Sequence, residues 1–285
     1  MNSAQNWKDT NDVVYTDSMT YNFPLISTAN EGAATTLTNT QAGRSTLSNL
    51  IPFTVNTQTN QTLTISIQEI ISDYKNYADQ AQSNYSKMAD IGDYLGKKSG
   101  ERLQAISLAN HGAWTNFGDT GGGVLGLSST PYSSSATNID DTIEGIIEQI
   151  QTANGWEIYM ENGGFAEWRP KDWTFLVKYM KSMGFAFADE ALRDGGKGRM
   201  GKEAMGLFHY VSTQHDSNHG FAGVRKVQKL GILASTAGVI RRNESPTSSS
   251  ASGSLPGTQI YLVWDYGQLV PTNLLPVVFD VNFNA

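Results

Sequence analysis

The stretch NYADQAQSNYSKMADIGDYLGKKSGERLQAISLANHGAW, residues 76–114, decides how the rest of the chain is read. Small or apolar residues fall at Ala78, Ala81, Tyr85, Met88, Ile91, Leu95, Ser99, Leu103, Ile106, Ala109 and Ala113. Steps of three or four between them make the stripe of one amphipathic helix. No proline interrupts it, although Gly92, Gly96 and Gly100 weaken its middle by roughly 1 kcal/mol each relative to alanine. A helix over 78–113 runs about 54 Å at ~1.5 Å per residue. A compact chain of 285 residues has a diameter near ~49 Å. Either the helix breaks at its glycines, or the subunit is not a ball.

Composition narrows the rest. Only 16% of residues are charged, and Ser, Thr, Asn and Gln crowd the first 75 residues and 243–259. Such surfaces are neutral or covered by other protein. A net charge of −7 argues against a dedicated nucleic-acid-binding face, which needs clustered Lys and Arg. It suits a wall that stands beside DNA without sticking to it. With no cysteine, disulfides and thiolate metal sites are excluded. No apolar segment follows Lys8, Asp9 and Asp12, so no signal peptide is expected. No apolar run approaches the ~20 residues of a membrane span. A soluble protein made in the cytoplasm is the expectation.

Outward from the helix, residues 1–43 read as an extended arm with scattered aromatics (Trp7, Tyr15, Tyr21, Phe23) and no helical period. Residues 44–69 carry no charge between Arg44 and Glu69. Leu47, Ile51, Phe53 and Val55 supply one strand, Leu63, Ile65 and Ile67 alternate in another, and 56–61 is the expected turn of a long hairpin. An uncharged hairpin outside a sheet invites aggregation unless another chain covers it, so an interface element is expected. Ile70, Ile71 and Tyr74 then lead into the helix. Beyond it, 116–135 is a loop with Gly121–Gly123 and the tract SSTPYSSS. Asp140 and Asp141 open a second helix with the stripe Ile143, Ile146, Ile147 and Ile150, ended by Gly155. A strand is expected at 165–168 and a third helix from Pro170. The stretch 184–220 is irregular and glycine-rich, 224–240 strand-rich with Val227, Leu230, Ile232 and Leu233 as core, and 259–264 and 277–283 are closing strands. The pattern is α+β without internal repeats.

Candidate chemistry is thin. GKGRMGKE at 196–203 fits G-x-x-x-x-G-K, but Glu203 stands where a P-loop needs Ser or Thr for magnesium. His209, His215 and His219 could hold zinc if the last pair shared a helical face. Asn218 and Gly220 argue against such a helix, and no glutamate base lies between the histidines. Asp140–Asp141 and Asp189–Glu190 read as a helix start and a solvated face. No Gly-x-Ser-x-Gly elbow occurs and no cysteine nucleophile is possible. No catalytic, cofactor-binding or metal residue is therefore assigned.

The order of elements, together with TLTISIQEIISDY (62–74), ADQAQS (78–83), ERLQAISLA (101–109) and GLFHYVSTQHDSNHGFAGVRKVQKLGIL (206–233), resembles the major capsid proteins of tailed double-stranded DNA bacteriophages. Environmental and marine phages carry similar stretches. The resemblance implies a Hong Kong 97-like fold with an N-arm (1–43), an extended E-loop hairpin (44–69), and a spine helix with part of the peripheral domain (70–137). A mainly axial domain with return strands (138–257) and closing strands of the core (258–285) complete it. Such subunits are flat plates, which accommodates a long helix.

The implied function is self-assembly into the hexamers and pentamers of an icosahedral virion shell around DNA, with no enzyme activity and no cofactor. The implied partners are further copies of the chain, a separate scaffolding protein, a portal and a decoration protein, with DNA contacted non-specifically and no membrane. Members that cross-link covalently join an E-loop lysine to a neighbour's asparagine. No lysine lies between Arg44 and Glu69, so that chemistry is not expected here. Alternatives that remain are an encapsulin-type compartment shell, another structural phage protein such as a tail tube, an NTPase at Gly196–Lys202, and a metal-dependent hydrolase using His209, His215 and His219.

Overall fold

The computed structural model describes residues 6–26, 58–76, 87–109, 111–119, 125–126, 131–184, 203–214, 218–244 and 257–284. The chain opens with a short helix α1 (Asn6–Thr10) and strand β1 (Asp12–Thr16). The side chain of Asn11 closes the turn between them by donating to the Trp7 carbonyl. Strands β2 (Thr20–Ile26) and β3 (Gln58–Thr64) follow, then β4 (Ile67–Asn76) and the long helix α2 (Lys87–Leu108). After β5 (Thr115–Asp119) and β6 (Leu125–Gly126) comes α3 (Ile139–Thr152). Its first turn carries Asp140 and Asp141 at the positive end of the helix dipole. Gly155 donates its N–H to the Ile150 carbonyl and stops it. Then come α4 (Trp156–Asn162), β7 (Gly164–Trp168) and α5 (Pro170–Ser182), with Pro170 in the first turn as expected. Strands β8 (Leu207–Val211), β9 (His219–Val224), β10 (Lys229–Leu233), β11 (Val239–Glu244), β12 (Gly257–Leu269) and β13 (Val278–Asn282) complete the chain.

Two main sheets organise these elements. A six-stranded sheet runs in the order β6-β5-β13-β9-β7-β8. Helices α3 and α5 cover one of its faces, and Ile143, Ile146 and Leu176 pack with Phe117, Trp168 and Phe279 into the larger core. This is the expected stripe of the second helix meeting the expected strand at 165–168. A five-stranded sheet has the order β1-β10-β12-β11, with β4 pairing the free side of β12. On it Leu103 and Ile106 of α2 pack with Trp7, Leu230, Ile232 and Tyr266. Leu95 meets Ile260 further along.

The structure corrects four expectations. Residues 6–16 are not a free arm: β1 pairs in parallel with β10, and Trp7 is buried. A parallel edge strand from the chain start needs no local turn, so nothing nearby in sequence announces it. The strand containing Leu63 pairs not with 44–55 but with β2, from Thr20↔Thr64 to Ile26↔Gln58. Residues 58–61 are strand and not turn, while 27–57 lie outside the described residues. Ile70, Ile71 and Tyr74 belong to a ten-residue strand, β4, paired along its length with β12. The described part of helix α2, Lys87–Leu108, has 22 residues, or about 33 Å, and the expected helical stretch 77–86 lies outside the described residues. Finally, the irregular stretch 184–220 contains β8 and the start of β9, inside the six-stranded sheet.

The two sheets also divide the chain differently from the sequence boundaries. β10 and β11 stand in the sheet under α2, whereas β13 at the chain's end joins β5 and β9 in the other.

Candidate functional site

Of the residues singled out for chemistry, Asp189–Glu190 lies outside the described residues. Of the P-loop-like run, Gly196–Lys202 lies outside the described residues, and Glu203 is exposed just before β8. His215 is likewise outside them. His209 sits on β8, fully buried, and accepts a hydrogen bond from Trp168 Nε1 at its Nδ1 (3.0 Å). That fixes the proton on Nε2, which lies 2.9 Å from the Ala204 carbonyl it bonds. Burial holds this imidazole neutral by depressing its pKa to about 4, opposed in part by the Ala204 bond. His219 lies on β9 with Nδ1 2.7 Å from Asp280 Oδ1 on β13.

His209 is the register partner of Ala166, which pairs Ala222; His219 is three residues from Ala222 and so points to the opposite face. The histidines are thus not brought together. Among the described residues no group of three His, Asp or Glu side chains could hold a metal.

The least ordinary titratable group is one that sequence reasoning passed over. Glu167 of β7 is fully buried, and Gln104 Nε2 from α2 donates to its Oε1 at 2.6 Å. Burial raises its pKa to about 7, with hydrogen bonds from Ser212, Asn6 and Gln104 pulling the other way. A single glutamate inside the otherwise apolar run GFAEW was the available signal. Its partners come from α1, α2 and the end of β8, so it is a joint between elements. A second buried junction stands nearby: Gln228 accepts from Trp114 Nε1 (2.9 Å) and donates to Asn11 Oδ1 (2.8 Å). These are ties between distant parts of the chain.

What the structure presents outward is surface. The two-stranded ribbon β2–β3 has fourteen residues and no charged side chain. Leu63 is buried while Thr62 and Thr64 are exposed, so the two faces of the ribbon differ. On the inner face Gln61 exchanges two hydrogen bonds with Thr272, Nε2 to Oγ1 at 2.8 Å and Thr272 N to Oε1 at 3.2 Å. Lys229 lies over the Phe23 ring at 5.6 Å. On the outer face Thr62 donates to Asn22 Oδ1 at 2.7 Å. Along β4, Ile67, Ile70 and Tyr74 are exposed large apolar groups on a strand whose other edge carries no pairing among the described residues. Beside α2 an open groove of about 560 Å³ is lined by Trp7, Gly92, Gly96, Leu103 and Trp264. From sequence an interface element is expected in the uncharged stretch 44–69, and the described ribbon β2–β3 is likewise uncharged; neither the groove nor the exposed apolar groups of β4 were expected.

Comparison with protein-family models and with curated proteins gives no match. Solved structures do match along nearly the whole chain. A structure from Gordonia phage Cozz is similar at a TM-score of 0.62, with 11% identity, over 100% of this chain and 87% of that one. The capsid of a native GTA particle is similar at a TM-score of 0.60, with 10% identity, over 100% of this chain and 91% of that one. The mature capsid of bacteriophage PhiM1 gives 0.58, with 13% identity, over 98% of this chain and 86% of that one. At such identities the likeness establishes the fold.

Proposed function

We propose that this chain, which has the Hong Kong 97-type fold, is the major capsid protein of a tailed double-stranded DNA bacteriophage. The observation that carries the reading is a match to capsid chains covering 98% or more of this chain, with no long segment left over for another task. Its role is structural and not enzymatic: copies associate into hexamers and pentamers that close into an icosahedral shell of the virion. The shell is assembled in the host cytoplasm, with a scaffolding protein, a portal and a decoration protein as its other partners.

In this reading the ribbon β2–β3 is the base of the E-loop, replacing the 44–69 assignment. The five-stranded sheet with α2 is the peripheral domain, and the six-stranded sheet with α3 and α5 is the axial domain. Closed symmetric assemblies reuse the same few surfaces at every contact. Each contact can be modest, because engaging one surface makes the next contact effectively intramolecular.

The test is negative-stain electron microscopy of the purified chain after size-exclusion chromatography, alone and with the products of neighbouring genes. Closed angular shells or hexameric capsomers are expected. A monodisperse monomer under every condition overturns the reading. A shortened chain sharpens it: Leu25 joined to Thr59 through Asn-Gly keeps a register pair of the ribbon and a two-residue turn. That variant should stay folded and soluble yet form no stable shells.

A further inference from the structure

The ribbon β2–β3 does not simply leave the subunit; it rests on a seat built for it. Gly231 on β10 and Gly267 on β12 are register partners, so both stand on one face of the five-stranded sheet. Their sequence neighbours Leu230, Ile232 and Tyr266 pack with α2, which puts the glycines on the opposite face. Leu63 and Ile65 are buried against that face. A methyl group on Gly231 would come within 2.6 Å of Leu63 Cδ2, and one on Gly267 would overlap the Thr64 carbonyl and crowd the Ile65 backbone. Neither glycine has a positive φ. Their backbones suit any residue, so the missing side chains matter only for the close approach of β3.

We infer that the Gly231–Gly267 pair is a saddle that fixes the direction in which the ribbon leaves the subunit, and that Gln61 with Thr272 locks it there. These are positioning residues for assembly, and the inference rests on the shell reading given above. Three observations converge on it. β3 touches the sheet through backbone at Gly267, which cannot yield as a side-chain tip can. The lock lies further along the same strand, with Gln61 two residues before Leu63 on the same face. The Ile65 N–H bonds to the Met19 carbonyl (2.8 Å), so the chain is also held at the ribbon's base. Held at the saddle and the lock, a ribbon has one exit angle. A shell of repeated copies needs one angle, or a small set, at every contact.

Two variants separate positioning from folding. Gly267→Ala fills the saddle against backbone; Gln61→Ala removes both lock bonds and touches no core residue. The chain has no cysteine, so spin labels go cleanly on Asn60→Cys, on the ribbon, and Ser235→Cys, in the exposed turn after β10. The distance between the labels, measured by pulsed electron spin resonance on the isolated full-length subunit, should be single and narrow in the parent. It should be broad or displaced in both variants, while their circular dichroism stays that of the parent. With assembly partners present, the parent should give shells of one size and the variants a loss of closed shells or a mixture of sizes. Unchanged label distances with uniform shells in Gly267→Ala overturn the saddle, whatever the parent does. A parent that never assembles, yet shows the narrow distance that broadens in the variants, refutes the shell reading and leaves the seat standing.

Discussion

Glu167 and His209 lie one residue out of step on adjacent strands β7 and β8, and they set opposite pH dependences. The folded Glu167 keeps its proton to about pH 7, whereas an ordinary glutamate carboxyl releases it at 4.5. Between those values the folded state binds more protons, so stability falls as pH rises, by on the order of 3 kcal/mol in all. His209 works the other way: its folded pKa of about 4 lies below the ordinary 6.5. Its contribution is present above 6.5 and is lost as pH falls toward 4. The two slopes offset each other over the shared window, which gives the parent a nearly flat profile from about pH 5 to 6.5. Glu167→Gln should therefore stabilise the subunit at pH 8 and expose the acid-side loss from His209. Urea denaturation of parent and variant at pH 5, 6.5 and 8 checks this; parallel pH profiles would contradict it. The burial of Glu167 had one signal, its place in the apolar run GFAEW; that of His209 had none. In sequence His209 groups with His215 and His219 as candidate zinc ligands, because the strand pattern in LFHYV is only five residues long and the partner that dries it, Trp168, is 41 residues away.

At the scale of elements, local patterns were readable and long-range pairings were not. The stripe Leu95, Ser99, Leu103 and Ile106 is buried along α2 as the spacing required. The alternation of Leu63 and Ile65 likewise identified a strand. Its partner was assigned to the nearest apolar run, yet β3 pairs with β2 across 31 residues from Ile26 to Gln58. Strand alternation marks which face is buried and says nothing about which strand lies alongside. The glycines of α2 permit a direct test of what limits this helix. A methyl group on Gly92 or Gly96 would meet nothing within 4 Å. Gly92→Ala and Gly96→Ala should each stabilise the helix by about 1 kcal/mol and raise the subunit's Tm by roughly 2 °C. Gly155→Ala should do the reverse, since its methyl would strike Val277 and press on the Ile150 carbonyl. Differential scanning calorimetry of the three variants decides it. A fall in Tm for Gly92→Ala or Gly96→Ala would mean that the groove beside α2 is filled in the folded subunit.

On the scale of the whole molecule, charge and surface argue for a particular salt response. Each copy carries −7, and the ribbon carries no charge in its described strands. If the proposed shell forms, copies brought together repel through their net charge, while a contact through the ribbon would rest on packing and neutral hydrogen bonds that salt barely touches. Among the described residues, Lys229 pairs with Asp12, Arg169 with Asp172, and Arg102 with Glu69 within the chain. Screening has a length of about 10 Å at 0.1 M and about 30 Å at 0.01 M, so raising salt across that range removes most of the repulsion between neighbours. Assembly should thus begin at a lower protein concentration in 0.2 M salt than in 0.02 M. It should also strengthen as pH is lowered toward the isoelectric point that the sequence gives, about 5.1, where the net charge vanishes. Light scattering against protein concentration at the two ionic strengths measures the onset. If salt instead dissolves the shells, complementary charges between copies hold them together, and the neutral ribbon is not the dominant contact. The direction of that one shift separates a shell held by packing from one held by charge.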